Sequence, residues 1–353
     1  MTLGRKVKIA ALTCELPRTR VGNNDPIFER IGDVPKRWWR FWGINQRGYF
    51  QASEGETELS AAETASLRLM KRMKLNPDDI DLIICSSSCP ILADDGGLLQ
   101  TANTRLYPRL SRVLKERLGL RRALGFDVQV ECGGFLLNLN IAASYIRAGL
   151  AQQALVVCSE QPSRMLDFTS LASTMFADGC AVALLTPANV DEDDDLLAAS
   201  QYSNADYYEI ATGQWRHEEK DTARKGPIRM YFTLREGGQS EMQSFVPETV
   251  PRVVKQAVKR AALTCQEVDY FVFHQPSPFL VQCWANEIGC PEEKYAISTA
   301  DTGVMVSVAV PYTLYKALKE GSVTPGKVVV LAGAATGWGF LAQVWRVGQI
   351  LVC

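Results

Sequence analysis

The chain has 353 residues, of which 47% are hydrophobic and 22% are charged, and its formal net charge is −1. This length corresponds to two average domains or to one large fold built from two halves, with ample apolar material for a core. The balanced charge argues against nucleic acid and membrane surfaces as partners, because both usually attract a basic excess.

The first residues form no basic region followed by an apolar run, and no apolar stretch reaches the roughly 18 residues of a membrane helix. We therefore expect a cytoplasmic protein. Four of the ten cysteines, Cys14, Cys85, Cys158 and Cys180, lie in or beside strand-like runs such as LIIC and LVVC, where free cysteine behaves as a small core residue. Cys85 and Cys89 bracket three serines, and no second Cys or His pair completes a site, so no metal site is expected.

The first half predicts a strand in KIAALTC and a second one in PDDIDLIICSSS (77–88). An extended run, FDVQV (126–130), then reaches Cys132, and a helix follows in FLLNLNIAASYIRAGLA. This helix is apolar nearly all round until its last turn, which indicates burial between layers. Gly149 ends it, and the strand QALVVCSE follows.

Two loop-like segments interrupt the middle of the chain. They are the acidic NVDEDDDLL (189–197) and the polar GQWRHEEKDTARKGP (213–227), which flank an expected insertion. His217 lies among the charges of the second segment, so we expect a solvated loop residue there. His274 is the only other histidine.

The second half repeats the pattern of the first. CQEVDYFVFHQPS (265–277) matches PDDIDLIICSSS, since both have a polar helix end, an Asp and an apolar strand that runs into small polar residues. A strand is then expected to reach Asp301, followed by Gly303, the apolar helix VMVSVAVPYTLYKALKEGS with Gly321 at its end, and the strand KVVVLAGAA.

Alternating β and α segments with apolar strands predict largely parallel sheets that are covered on both faces. The sequence therefore indicates a duplicated α/β fold. Its halves are residues 1–188 and 189–353, packed through their central helices.

Cys132 stands where the extended run gives way to the first apolar helix. A thiol at a helix N-terminus meets the positive end of the helix dipole and unpaired N–H groups, and both favour the thiolate. Gly133 and Gly134 lack a Cβ, which would let an acyl group approach the sulfur and the N–H groups that could hold an oxyanion. A small core cysteine at a tight turn is the alternative, and this stretch alone does not decide between them.

His274 follows an apolar strand of the second half. Open α/β sheets gather their sites at the C-terminal ends of strands, where Cys132 is also expected. A cysteine and a histidine that meet there make a nucleophile with its acid–base partner. A core histidine bonded to backbone is the plainer alternative.

Several segments together resemble the thiolase superfamily, in particular β-ketoacyl-acyl carrier protein synthase III. They are the Cys–Gly–helix segment, VFHQPSP, DTGVMVSVAVP, VLAGAATGWGF, WGINQRGYF and FADGCAVALL, and the resemblance covers almost the whole chain. It implies a duplicated, five-layered α-β-α-β-α fold. Within this family, LVVCSEQPSRMLDFTS and AGAATGWGFLAQVW look very like the catalytic C subunits of bacterial alkylquinolone synthases.

The resemblance also implies the roles of single residues. Cys132 corresponds to the family's nucleophile and His274 to its catalytic histidine. The oxyanion hole would combine the backbone N–H of Cys132 with one at or near Gly337. Trp38 or Trp39 would stack on the adenine of coenzyme A, and Arg164 is a weaker candidate for its phosphates. An aromatic cluster that closes a surface loop is the alternative for the tryptophans, and a solvated side chain for the arginine.

Val304 departs from the family pattern. Decarboxylating synthases carry Asn directly after the glycine of this turn, and losing one such hydrogen-bond donor costs about two to three orders of magnitude in rate. A β-keto acid needs less help, because its ketone is a better electron sink than a thioester carbonyl, and an aromatic one suits an apolar pocket wall. Whether Asp301 or Thr302 replaces the lost donor is left open.

The resemblance and Val304 together predict a condensing enzyme. Cys132 would take a fatty-acyl group, octanoyl or similar, from acyl-CoA and pass it to 2-aminobenzoylacetate, giving 2-alkyl-4(1H)-quinolones, which serve as quorum-sensing signals or secondary metabolites. Acyl-CoA is a substrate in this reaction, and no cofactor is expected. The resemblance also implies a heterodimer with a paralogous thiolase-fold subunit that lacks the catalytic cysteine.

Three other interpretations are weighed against this one. An acyltransferase of the same family could move the acyl group to an alcohol or amine, which needs no decarboxylation and hence no Asn. A non-catalytic thiolase-fold partner subunit would be expected to lack Cys132 or His274. A cysteine peptidase finds no support in Val304 or in the duplicated pattern.

Overall fold

Two mixed β-sheets, each covered by helices on both faces, form the fold in the computed structural model. The structure describes residues 5–89, 108–189, 191–220, 224–337 and 339–353. The strands are β1 (Val7–Glu15), β2 (Arg20–Gly22), β3 (Gln46–Gly48), β4 (Leu82–Ser86), β5 (Leu124–Asp127), β6 (Ala154–Glu160), β7 (Gly179–Pro187), β8 (Asp195–Ser203), β9 (Ala211–Lys220), β10 (Arg224–Leu234), β11 (Tyr270–Phe273), β12 (Val328–Ala335), β13 (Gly339–Arg346) and β14 (Leu351–Val352). The helices are α1 (Lys36–Trp42), α2 (Glu58–Met73), α3 (Leu110–Arg117), α4 (Gly134–Arg147), α5 (Gly238–Arg260), α6 (Pro278–Ile288), α7 (Thr299–Thr302) and α8 (Ala309–Lys319).

The first sheet has the strand order β14-β1-β7-β6-β4-β5, and the second has the order β11-β12-β13-β8. Helices α4 and α8 lie between the two sheets, where their apolar side chains join one buried cluster. Helices α2 and α3 cover the outer face of the first sheet, and α5 and α6 cover the outer face of the second. This is the five-layered arrangement predicted from the sequence. The strands of the first sheet precede residue 188 in the sequence and those of the second follow it. The exception is β14, which pairs with β1 in the first sheet.

The repeated unit that precedes β4 and β11 is built in the same way in both halves. A short 3-10 turn comes first in each, with a capping box formed by Asn76 and Asp79 in one half and by Thr264 and Glu267 in the other. In a capping box, two side chains accept hydrogen bonds from the free backbone N–H groups of the turn, which fixes where each strand begins. The internal duplication seen in the sequence is therefore present in three dimensions.

Strand direction corrects one prediction, because the sheets are mixed and not largely parallel. β4, β5 and β6 are mutually parallel where they pair, as are β11 and β12. β7 runs antiparallel to both β1 and β6, and β13 runs antiparallel to both β12 and β8. For β12 and β13 the antiparallel direction has a local cause, since a short turn joins them and leaves no room for a crossover helix.

Three segments differ from their predicted conformation. The residues before Gly303 form the short helix α7 and not a strand. In the acidic segment 189–197, β8 begins at Asp195, and residue 190 lies outside the described ranges. Most of the segment 213–227 belongs to the hairpin of β9 and β10, in which His217 is exposed on a strand and not in a loop; its residues 221–223 lie outside the described ranges.

The predicted ends of the central helices are confirmed. Gly149 follows α4 with φ 74° and Gly321 follows α8 with φ 76°, the left-handed region that glycine enters at little cost. In the parts of the chain that the structure describes, no helix combines the length and the apolar character needed to cross a membrane.

Candidate active site

One cavity of about 470 Å³ lies where the two halves meet. It is lined mainly by apolar side chains, and the wall also contains Cys132, His274, Val304, Gly337 and Trp38. The cavity therefore brings together five of the residues that the sequence singled out, from both halves of the chain. The volume lies within the range that is usual for small-molecule sites.

Cys132 lies in a 3-10 turn, Glu131–Gly133, directly before α4. The N–H of Gly133 donates to the carbonyl of Val130 over 2.8 Å, which closes the turn. Cys132 as a whole residue is partly buried, and it lies at the cavity wall. The predicted placement at the start of a buried helix is confirmed.

The glycines after Cys132 also allow close packing, and their role in substrate approach stays a prediction. A Cβ on Gly134 would lie 2.7 Å from Oγ of Ser86, and one on Gly133 would lie 3.1 Å from Leu341 and 3.2 Å from Ala335. Helix α4 thus starts in close contact with both sheets: a side chain at Gly134 would force Ser86 to shift, and one at Gly133 would be tightly packed.

The electrostatic surroundings of Cys132 also differ from the expectation of a stabilised thiolate. Burial raises the pKa of the Cys132 thiol well above its ordinary value, and the carboxyl groups of Glu160 and Glu131 raise it further. The backbone N–H of Cys132 opposes this rise but does not outweigh it. The resting form is therefore the neutral thiol, so its proton must leave as the sulfur attacks.

His274 follows β11 and is 4% exposed. Its backbone N–H donates to the carbonyl of Ala332 on β12 over 2.8 Å, and a Cβ on Gly333 would lie 2.7 Å from Cβ of His274. Burial lowers the pKa of His274 to about 4. Its Nδ1 is buried without a hydrogen-bond partner in the described part of the chain. His274 is thus a neutral imidazole at the wall of the cavity.

Val304 is buried in an apolar cluster with Trp42, Ile44 and Met175. Its backbone N–H donates to the carbonyl of Met175 over 2.9 Å, which fixes the turn against the first half. The side chain lines the cavity beside Cys132 and His274. A hydrogen-bond donor is therefore absent at this position of the wall.

Neither neighbour of Gly303 supplies the missing donor. Asp301 is exposed, and the hydroxyl of Thr302 donates to the carbonyls of Ser298 and Gly303 at 2.8 and 3.0 Å. Neither residue is among those that line the cavity in the described part of the chain. Neither Asp301 nor Thr302 therefore takes the place of the hydrogen-bond donor that Val304 lacks.

Gly337 lines the cavity at the turn between β12 and β13, and its φ of 94° requires glycine or strain. The indole N–H of Trp38 donates to Oγ1 of Thr174 over 2.8 Å. The ring of Trp39 lies 5.6 Å from the guanidinium of Arg47 and is not in the cavity wall. Adenine stacking stays a prediction for both tryptophans, and the oxyanion hole stays one for Gly337.

Arg164 has a different role from the one predicted. Its guanidinium donates to Oε1 of Glu58 over 2.9 Å, and the two side chains are 4% and 1% exposed. A phosphate of coenzyme A at the protein surface cannot reach a cation that is paired inside the core. The weak assignment of Arg164 to coenzyme A binding is wrong.

The sequence reasoning missed Glu160, the last residue of β6. This fully buried carboxyl accepts hydrogen bonds from the N–H and Oγ of Ser88 at 2.8 and 2.6 Å and from Oγ of Ser307 at 2.5 Å. Burial raises the pKa of Glu160 to about 7. A glutamate at the end of the apolar strand QALVVCSE was the available signal.

The comparisons with known proteins identify the family of the chain. The model described as 3-oxoacyl-[acyl-carrier-protein (ACP)] synthase III matches residues 126–205, and its C-terminal counterpart matches residues 258–347. The chain is 53% identical over 348 residues to the 2-heptyl-4(1H)-quinolone synthase subunit PqsC of Pseudomonas aeruginosa, with 99% of each chain covered. It is 30% identical to β-ketoacyl-[acyl-carrier-protein] synthase III of Chelativorans sp., over 94% of this chain and 96% of the relative.

The fold is similar to that of solved synthases. The crystal structure of 3-oxoacyl-[acyl-carrier-protein] synthase III from Aquifex aeolicus has a TM-score of 0.82 and 22% identity, and the match covers 96% of this chain and 99% of that one. The predicted thiolase-like fold and the predicted family are both confirmed. The chain belongs to the 3-oxoacyl-[acyl-carrier-protein] synthase III family of condensing acyltransferases and is similar over its whole length to a PqsC subunit.

Proposed function

We propose that this chain passes a fatty-acyl group from coenzyme A through Cys132 to 2-aminobenzoylacetate, giving a 2-alkyl-4(1H)-quinolone. The observation that carries the proposal is the shared cavity of Cys132, His274 and Val304, with a valine at the position where the family resemblance implies an Asn in decarboxylating synthases. The 53% identity to a 2-heptyl-4(1H)-quinolone synthase subunit supports the product class.

In the first step the Cys132 sulfur attacks the thioester carbonyl of acyl-CoA. The thiol proton passes to His274 or solvent as the S–C bond forms, and backbone N–H groups at Cys132 and Gly337 hold the oxyanion. The carbonyl re-forms, the bond to the coenzyme A sulfur breaks, and coenzyme A leaves with a proton. Because the resting pair is a neutral thiol and a neutral imidazole, the proton moves together with the attack.

In the second step the acceptor loses carbon dioxide, and its methylene carbon attacks the acyl group on Cys132. The electrons of the broken C–C bond pass into the ketone, so the enzyme needs one donor there, which His274 supplies. The Cys132 sulfur leaves and regains a proton. The amine of the product then closes on the new ketone, and water is lost to give the quinolone ring.

The acyl chain is proposed to be octanoyl. The carbonyl carbon of the acyl group becomes part of the ring, so an eight-carbon acyl group leaves a seven-carbon substituent. That substituent is the heptyl group in the name of the relative. The mostly apolar lining of the cavity suits such a chain.

We further propose that the chain works as a heterodimer with a paralogous thiolase-fold subunit that lacks the catalytic cysteine. The relative is itself named as a subunit, which supports a multi-component enzyme. The retention of both Cys132 and His274 makes this chain the catalytic member of such a pair.

The test supplies octanoyl-CoA and 2-aminobenzoylacetate to the purified chain, alone and together with a co-expressed paralogue. The expected product is 2-heptyl-4(1H)-quinolone, identified by mass spectrometry and absent with Cys132→Ala. Transfer of octanoyl to an alcohol or amine in place of the quinolone would favour the acyltransferase alternative. No turnover by the pair would contradict the proposal.

A further inference from the structure

Glu131 places a carboxyl group in the wall of the active-site cavity. Among the lining residues in the described part of the chain, no other is Asp, Glu, Lys or Arg. Its side chain is partly buried next to Cys132. Burial raises the pKa of the Glu131 carboxyl, and the opposing contact is a hydrogen bond from the side chain of Gln129, which lies in the same wall.

The backbone of Glu131 is held in an unfavourable conformation. Its φ is 34°, a region that glycine enters freely and residues with side chains rarely adopt. Such strain persists where surrounding structure enforces it, and it gathers at functional sites. The chain thus carries a carboxyl group at this position although a glycine would fit the backbone better.

The two proposed substrates differ in what they can offer this carboxylate. A fatty-acyl chain has no hydrogen-bond donor. The acceptor has an aromatic amine beside its ketone, and its N–H groups can donate to a carboxylate. In an apolar surrounding, a hydrogen bond to a charged acceptor is about twice as strong as one between neutral groups.

We propose that Glu131 recognises the aromatic amine of the acceptor, with its carboxylate accepting a hydrogen bond from the amino group while the acceptor's reactive carbon faces the acyl group on Cys132. This inference rests on the proposed acceptor. It makes Glu131 the residue that separates 2-aminobenzoylacetate from β-keto acids without an amine, because those analogues have no N–H group to donate to the carboxylate and so lack this charge-assisted hydrogen bond.

Binding to the full chain with Cys132→Ala tests this without requiring acylation. Calorimetry compares 2-aminobenzoylacetate with benzoylacetate, which lacks the amine, for Cys132→Ala alone and combined with Glu131→Met, Glu131→Gln or Glu131→Gly. Met matches the length of Glu without an acceptor, Gln keeps a neutral acceptor, and Gly removes both the carboxyl and the backbone strain.

With Glu131 in place, 2-aminobenzoylacetate should bind at least roughly tenfold more tightly than benzoylacetate. Met and Gly should abolish this preference while benzoylacetate binding changes little, and Gln should recover part of it. A preference that survives in the Met and Gly variants, or an equal loss for both compounds, would overturn the inference while leaving the acceptor intact. Failure of both compounds to bind Cys132→Ala would overturn the proposed acceptor as well.

Discussion

Ser307 donates a 2.5 Å hydrogen bond to the buried carboxyl of Glu160, and this contact joins the two halves of the fold beside the cavity. Glu160 ends β6 in the first half, whereas Ser307 follows Val306, a cavity-lining residue of the second half. Val306 has φ 47°, which is strained for a β-branched residue. The hydrogen bond therefore fastens a strained turn to the wall that carries Cys132.

The first prediction concerns stability against pH. The pKa of Glu160 is raised from 4.5 to about 7 in the folded protein, so folding favours the protonated form. The contribution of Glu160 to the free energy of unfolding is complete below about pH 4.5. It is lost as the pH rises through about 7, and the loss amounts to roughly 3 kcal/mol. Glu160→Gln should therefore show a smaller fall in the free energy of unfolding between about pH 5 and about pH 8.

Urea unfolding at both pH values measures this, with Glu287→Gln as the control. Glu287 pairs with Lys255 on the surface, with side-chain exposures of 58% and 48%, and exposed pairs contribute little. The same pH dependence in Glu160→Gln as in the wild type would show that Glu160 is ionised in the folded protein throughout.

The second prediction concerns Arg164 and Glu58. Removing one member of a buried ion pair leaves an unpaired charge, so Arg164→Met should lower the free energy of unfolding by about 3–5 kcal/mol. The KM for octanoyl-CoA should stay within about twofold, because the guanidinium lies in the core. The double variant Glu58→Gln/Arg164→Met should regain part of the stability.

Glu160 and Arg164 show which features of the fold and site can be predicted from local sequence patterns and which cannot. Capping residues, apolar runs and helix-ending glycines are local, so the duplicated halves and the positions of Cys132 and His274 could be predicted. The contact from Ser307 to Glu160 spans 147 residues, and no periodicity encodes it. The pairing of Arg164 with Glu58 spans 106 residues, which is why a buried arginine was interpreted as a surface cation.

Cys132 itself shows the same limit. Its place before a helix was predictable, and the helix dipole correctly favours a thiolate. Burial raises the pKa of Cys132 most, and the carboxyl groups of Glu160 on β6 and of the neighbouring Glu131 raise it further. The argument from the helix N-terminus therefore covered one influence that lowers the pKa of Cys132 and omitted the larger ones that raise it.

The third prediction concerns Val304. Val304→Asn places an amide among apolar side chains, and a buried polar group without a partner costs about 1–3 kcal/mol. We expect kcat/KM for 2-aminobenzoylacetate to fall about tenfold, while the rate of acylation by octanoyl-CoA changes less than about threefold.

Val304→Thr is the matched control, because threonine keeps the shape of valine and adds only a small hydroxyl. It should lie between the wild type and Val304→Asn. An acylation rate that falls as far as kcat/KM in Val304→Asn would mean that Val304 acts on the Cys132 turn and not on the acceptor.

The fourth prediction concerns the protonation of His274. Burial lowers the pKa of His274 to about 4, so the imidazole should stay neutral throughout the range in which the enzyme works. With two histidines in the chain, NMR of histidine-labelled protein gives two ring signals, and His217→Gln identifies that of His274. A titration midpoint near the ordinary 6.5 would contradict the buried, neutral imidazole.

The central claim is that Cys132 carries the acyl group, and intact-protein mass after brief exposure to octanoyl-CoA tests it most directly. We predict one added octanoyl group on the wild type, none on Cys132→Ala, and loss of the group when 2-aminobenzoylacetate is added. An adduct that persists in Cys132→Ala, or no adduct even with the partner subunit present, would contradict the acyl-enzyme mechanism.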